Sequence, residues 1–77
     1  MNKKRKIKLS AIEEVKEFVQ AAVKCDFDID ISYNRMIIDA KSILGVLSLD
    51  LSEVLIVRYG GTDLAFEKIL NKYCVIS

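Results

Sequence analysis

Three kinds of side chain in this 77-residue chain have the chemistry to accept a group, hold a metal or move a proton: hydroxyls that precede helical patterns, a run of alternating aspartates, and two cysteines. Histidine is absent, so no imidazole is there to relay a proton, carry phosphate or ligate a metal. Asp26, Asp28 and Asp30 have the crowding of a calcium loop, but Phe27 and Ile29 alternate with them. That alternation places the carboxylates on one side of a strand, with no loop glycine and no closing glutamate, and a solvated sheet face is the better reading. Gly60-Gly61-Thr62-Asp63 precedes a helical pattern yet lacks the lysine and the spaced glycines of a phosphate loop, so it reads as a turn followed by a helix cap. Cys25 and Cys74 lack the further ligands of a zinc centre and are expected to be ordinary reduced thiols. No nucleophile is paired with a base, so the chain is not expected to be an enzyme or to need a metal or cofactor.

One hydroxyl stands apart. Ser42 precedes a short apolar stretch, Ile43, Leu44, Val46 and Leu47, as a helix N-cap would. A capping hydroxyl is open to a kinase, and a phosphate there, carrying a charge of roughly −1.5 to −2, meets free backbone amides. A second reading makes Ser42 a cap contributing about 1 kcal/mol and the apolar residues core. Burying one side of so short a helix takes Val46 and one or two neighbours, so Ile43, Leu44 and Leu47 are expected to include an outward-facing patch suited to a protein partner.

These residues need a scaffold, and the periodicity supplies one. Residues 5–9 alternate as a half-buried strand, with Ile7 and Leu9 opposite Lys6 and Lys8. Ser10-Ala-Ile-Glu13 fits a capping box, followed by a helical stripe of Ile12, Val15, Phe18, Val19, Ala22 and Val23. Residues 26–32 return to period two; Tyr33-Asn34-Arg35 makes a tight turn in which Asn34 takes the left-handed conformation, and residues 36–39 form the returning strand. After the Ser42 helix, in which Gly45 weakens the helix by roughly 1 kcal/mol relative to alanine, residues 53–59 read as a central strand. Thr62-Asp63 then caps a last helix packed through Ala65, Phe66, Ile69, Leu70 and Tyr73. The order strand, helix, strand, strand, helix, strand, helix is that of an α+β two-layer domain, one unit over residues 1–77.

Composition narrows the setting. The chain is 52% hydrophobic and 30% charged, which is globular, and no apolar run approaches the roughly 20 residues of a bilayer span. With no leader pattern, a cytoplasmic location is expected. The net charge of +1 hides an uneven distribution, because Lys3, Lys4, Arg5, Lys6 and Lys8 crowd the first residues. No aromatic side chain is interleaved with them and no groove-reading helix follows, so a solvated terminus and a lysine-guarded edge strand are favoured over nucleic-acid binding.

Residues 39–49, Asp-Ala-Lys-Ser-Ile-Leu-Gly-Val-Leu-Ser-Leu, resemble the regulatory-serine segment of HPr, the phosphocarrier of bacterial sugar transport, and Phe18-Val19 lies at the matching distance upstream. The resemblance covers essentially the whole chain and implies the HPr-like fold, a four-stranded antiparallel sheet with three helices on one face. In that family a histidine just before the first helix carries the phosphate and a neighbouring arginine steadies it. Counting back from Ser42, those positions fall near Ala11 and Glu13. Alanine offers no nucleophile and glutamate repels phosphate, so phosphocarrier activity is not expected. The family's serine is a regulatory phosphorylation site followed by apolar partner contacts, which implies those roles for Ser42 and for Ile43, Leu44 and Leu47.

Catabolite-repression HPr proteins also lack the histidine and keep the serine, and this chain is similar to them in that pairing, although it also lacks their Gly-Leu-x-x-Arg-Pro frame. The implied function is protein binding in the regulation of the phosphotransferase system or of carbon catabolite control. An HPr-type serine kinase or a catabolite control regulator is the implied partner. The alternative is an orphan interaction or homodimerisation module on the same fold. The family's strand order would leave an open face running from Lys6 and Lys8 across residues 54–57 to Asp28 and Asp30, and that charge pattern suits a weak, salt-sensitive homodimer.

Overall fold

The computed structural model describes residues 3–75. Its elements follow the expected order: β1 (Lys3–Ile7), α1 (Ile12–Val23), β2 (Ile29–Tyr33), β3 (Met36–Asp39), α2 (Ile43–Leu47), β4 (Leu55–Tyr59) and α3 (Leu64–Tyr73). All strand pairs are antiparallel, and the sheet order is β1-β4-β2-β3. β1 and β2 are therefore left one strand apart, and β4 fills the gap after α2 has carried the chain back.

Register sorts the sheet into two faces. Ile7, Leu55, Val57, Tyr59, Ile29 and Ile31 lie on one face and are buried under the helices together with Val15, Phe18, Ala22, Val46, Phe66 and Leu70. Tyr59 is the pivot of this core, its ring edge-on to Phe66 at 5.5 Å and stacked with Phe27 at 6.2 Å. A Cβ on Gly61 would stand 2.2 Å from Phe27 Cδ2, so the glycine in this turn is required by the close approach of that ring. The other face carries a charged row, Lys4, Arg58, Asp30 and Asp39, beside a mainly apolar row, Lys6, Ile56, Ser32 and Ile37.

Two strands are shorter than the alternation predicts and one is displaced, because pairing and alternation are different constraints. β1 runs over Lys3–Ile7 instead of 5–9: Ile7 faces Leu55, the first residue of β4, and nothing continues the ladder, although Leu9 remains buried. β2 begins at Ile29, the last position facing β4, so Asp26 and Asp28 precede the strand and only Asp30 lies on it. β4 likewise starts at Leu55 and not at residue 53. The predicted open face loses Lys8 and Asp28 from the sheet proper and gains Lys4, Arg58 and Asp39.

The capping box at Ser10 does not form. The N-cap is Ala11, one residue later, with no side-chain hydrogen bond, and Glu14 reaches back to accept the Ser10 amide at 2.7 Å. Ile12 and Val23, placed on the packing stripe by periodicity, are 49% and 56% exposed at the two ends of α1, beyond the reach of the sheet. Ala65 on α3 is exposed as well. Asn34 does take the left-handed conformation, φ 54°, in the β2–β3 turn. Asp63 caps α3 by accepting the Phe66 amide at 2.9 Å.

The basic strand is not a solvated arm. Lys3 donates to the Gly61 carbonyl at 3.0 Å and to Thr62 Oγ1 at 2.7 Å, over the Tyr59 ring. Arg5 reaches Glu67 at 3.2 Å and Asn71 at 2.5 Å, and the Tyr59 hydroxyl donates to the other Glu67 oxygen at 2.6 Å. Burial, and then the Glu67 carboxylate, push the Tyr59 phenol above its ordinary value. Lys4, Lys6 and Lys8 are the cations left facing water.

Candidate functional site

The turn after β3 builds the site. The Asp39 carbonyl accepts the Ser42 amide at 3.0 Å and its carboxylate accepts the Lys41 amide at 2.9 Å, which folds the chain back on itself. Ser42 then leaves the turn with extended dihedrals, φ −101° and ψ 106°, and its Oγ accepts the Gly45 amide at 3.2 Å. Ser42 is exposed, so one hydroxyl oxygen both caps α2 and faces solvent. The first turn of α2 carries no acidic residue. Lys41 is the adjacent cation, and its ammonium is held by the Cys25 carbonyl at 2.9 Å.

α2 is anchored by little. Val46 is fully buried, Leu47 is half-buried against the core, Ile43 is 36% exposed and Leu44 is 79% exposed. The four apolar side chains thus divide into an anchor, Val46 with Leu47, and an outward pair, Ile43 with Leu44. Gly45 has a reason that periodicity does not reveal. A Cβ there would lie 2.5 Å from Ile38 Cγ2 on β3 and 3.1 Å from Ser42 Oγ, so glycine lets α2 lie close on the sheet edge.

The position expected for a phosphorylated histidine lies at the start of α1. Ala11 is exposed, its carbonyl accepts the Glu14 and Val15 amides, and Glu13 and Glu14 fill the first turn. Nothing there is a nucleophile, and the nearest ionisable groups on the helix repel phosphate. Further along α1, Glu17 accepts from the Tyr73 hydroxyl and from Lys72 at 3.0 Å, and these two donors, Tyr73 first, hold its carboxyl below the ordinary value.

Other sequence candidates stay apart. Asp26, Asp28 and Asp30 do not converge, and among the described residues no group of three or more carboxylates or thiols stands together. Cys25 is buried behind α1, where desolvation raises its thiol pKa, and Cys74 is exposed at the C-cap of α3; both are free thiols. A shallow depression of about 470 Å³ lies on the open sheet face expected to run from Lys6 across residues 54–57, floored by Ser32 and Ile56 and rimmed by Lys6 and Tyr33; the part played by Ser32 and Tyr33 was not anticipated.

With this geometry in place, comparison with known families becomes decisive: the family described as PTS HPr component phosphorylation site matches residues 12–63, well over half of the chain. The chain belongs to the HPr family. The match opens at Ile12, the first residue of α1, and takes in the whole of the Ser42 segment, α2 and β4. No curated protein matches the chain. The four-stranded antiparallel sheet with three helices agrees with the HPr-like fold.

Proposed function

We propose that this HPr-family protein works by binding a protein partner through α2, as a regulator of the phosphotransferase system or of carbon catabolite control, with phosphorylation of Ser42 as its switch. The observation that carries the reading is the pairing of an exposed hydroxyl at Ser42 with the exposed side chains of Ile43 and Leu44, on a helix whose anchor is Val46. Leu47, half-buried, forms the base of that surface. A phosphate on Ser42 adds charge at the rim of an apolar contact and changes docking directly. On this reading the protein is a binding protein and not an enzyme, and it carries no phosphate by the family's histidine route, since the chain has no histidine and the start of α1 presents Ala11, Glu13 and Glu14. The reading sets this work in the cytoplasm; among the described residues, no helix is long and apolar enough to cross a membrane.

The test uses an HPr-type serine kinase with ATP, followed by mass spectrometry. A single phosphate on Ser42, lost in Ser42→Ala, is the expected result. Incubation with phosphoenolpyruvate and the general phosphotransferase enzyme should leave no acid-labile phosphate on this chain. Failure of the kinase to modify Ser42 would return the protein to an orphan interaction module on the same fold.

A further inference from the structure

The two edges of the sheet are finished differently. Along the second half of β1, residues 73–75 lie antiparallel in an isolated bridge: the Val75 amide donates to the Lys6 carbonyl at 3.0 Å, the Lys8 amide donates to the Tyr73 carbonyl at 3.0 Å, and Ile7 bridges Cys74. Lys4, Lys6 and Lys8 add like charges that discourage pairing with another copy. β3, at the opposite edge, has neither defence. It carries no lysine, no proline and no bulge, and it exposes Met36 by 49% and Ile37 by 65%.

The direction of each backbone group on β3 follows from its register. Tyr33 faces Met36 across a two-residue turn, Ile31 faces Ile38, and the Ala40 amide donates to the Ile29 carbonyl at 2.9 Å. In an antiparallel ladder these alternate residues spend their N–H and C=O on β2, so those of Ile37 and Asp39 point outward. The Asp39 carbonyl is already used by the Ser42 amide, which leaves both groups of Ile37, the Asp39 N–H and the Arg35 carbonyl.

We propose that β3 pairs with β3 of a second copy about a twofold axis at Ile37, joining two four-stranded sheets into one of eight. In this register Ile37 faces its counterpart in the partner copy and exchanges two hydrogen bonds with it. The Asp39 amide of each copy donates to the Arg35 carbonyl of the other. Ile37 and Asp39 share one side of the strand and Arg35 closes the turn just before it, so an apolar contact at the axis is flanked by two Arg35 to Asp39 charge pairs. The register centred one residue later puts Ile37 against Asp39 and Arg35 against Lys41, a like-charge pair, so charge selects between the registers that hydrogen-bond parity allows. Four residues of edge make a small interface, far below the roughly 800 Å² per partner of a stable complex, and the dimer is weak.

Sedimentation equilibrium on the full chain tests this, together with amide hydrogen exchange at low and high concentration. The mass should rise from 8.7 kDa toward twice that value with concentration. The Ile37 and Asp39 amides should slow as it does, while those of Met36 and Ile38 stay unchanged. Ile37→Pro removes an outward N–H that β2 does not use, so it should leave the fold intact and abolish the dimer. Asp39→Arg should weaken association about tenfold, because twofold symmetry turns two attractive pairs repulsive, and Arg35→Asp added to it should restore association. A strict monomer at millimolar concentration overturns the proposal. So does association in which the Ile37 and Asp39 amides keep their fast exchange, which would indicate docking through the open sheet face. If Ile37→Pro fails to fold, the charge-swap pair decides: no recovery in the double variant overturns the register.

Discussion

At the start of α1 the N-cap is Ala11, which has no side chain able to accept a hydrogen bond, whereas at the start of α2 Ser42 Oγ takes the Gly45 amide at 3.2 Å. The difference extends beyond one atom. α1 compensates with charge, placing Glu13 and Glu14 in its first turn and using Glu14 to hold the Ser10 amide. α2 has no acidic residue in its first turn and exposes apolar side chains beside the serine. One helix start is stabilised in a way that repels phosphate, and the other is compatible with one. α1 spans 12 residues with four buried side chains to hold it, while α2 spans five with one. A helix with little of itself committed to the core is the one free to present a surface.

The sharpest way to break this comparison is to attack Val46, the fully buried part of the anchor. Val46→Asp puts an unpartnered carboxylate where exposure is zero and should cost about 4 kcal/mol or more, losing the folded state in urea titration. Normal stability in that variant would mean that α2 is not held as described. Gly45→Ala should come next. The gain of about 1 kcal/mol in helix propensity is outweighed by the 2.5 Å clash with the stiff β-branched Ile38, for a net loss of about 1–2 kcal/mol. A stabilised Gly45→Ala would show that α2 can lift from β3 at no cost.

Ala11→Ser supplies the missing cap and should raise stability by about 1 kcal/mol, while Ser42→Ala should lower it by a similar amount, both read from denaturant midpoints. Equal and opposite shifts would show the two starts to be one problem solved once. Leu44→Asp should cost about 0.5 kcal/mol or less, since the side chain is 79% exposed, yet abolish partner binding. The smallest effect is that of pH. The Glu17 carboxyl is held below the usual value of 4.5 by Tyr73 and Lys72, so its contribution is present above that pH and is lost as pH falls through it and below. Acid should therefore loosen the α1–α3 contact, and Glu17→Gln should flatten that part of the stability profile.

Much of this was legible in the residues. The order of elements, the Ser42 and Asp63 caps and the left-handed Asn34 all follow from short-range chemistry, in which a residue and its partner lie within three or four positions. Ser10 shows where such reasoning slips: its spacing to Glu13 fits a capping box, but the helix begins one residue later and the reaching glutamate is Glu14. Strand ends failed for another reason. Alternation runs on through Leu9 and Asp28, and only the partner strand determines where pairing stops. The least legible features were the most distant, since Arg5 finds Asn71 across 66 positions of sequence and Gly45 is explained by Ile38 on a neighbouring strand.

The pairing of Lys6 with Val75 also has a meaning in time. A chain made from its N-terminus exposes β1 well before β4, so β1 finds its partner only after the whole middle of the domain has been synthesised, and residues 73–75, which cover its edge, come later still. Of the four strands, the first made is the last one finished. Closing so wide a loop is slow compared with the hairpin of β2 and β3, which forms from neighbours. Throughout that wait the unpaired segment carries Lys4, Lys6 and Lys8, and the same charges that guard the finished edge keep the nascent one from seeking a partner on another ribosome's product.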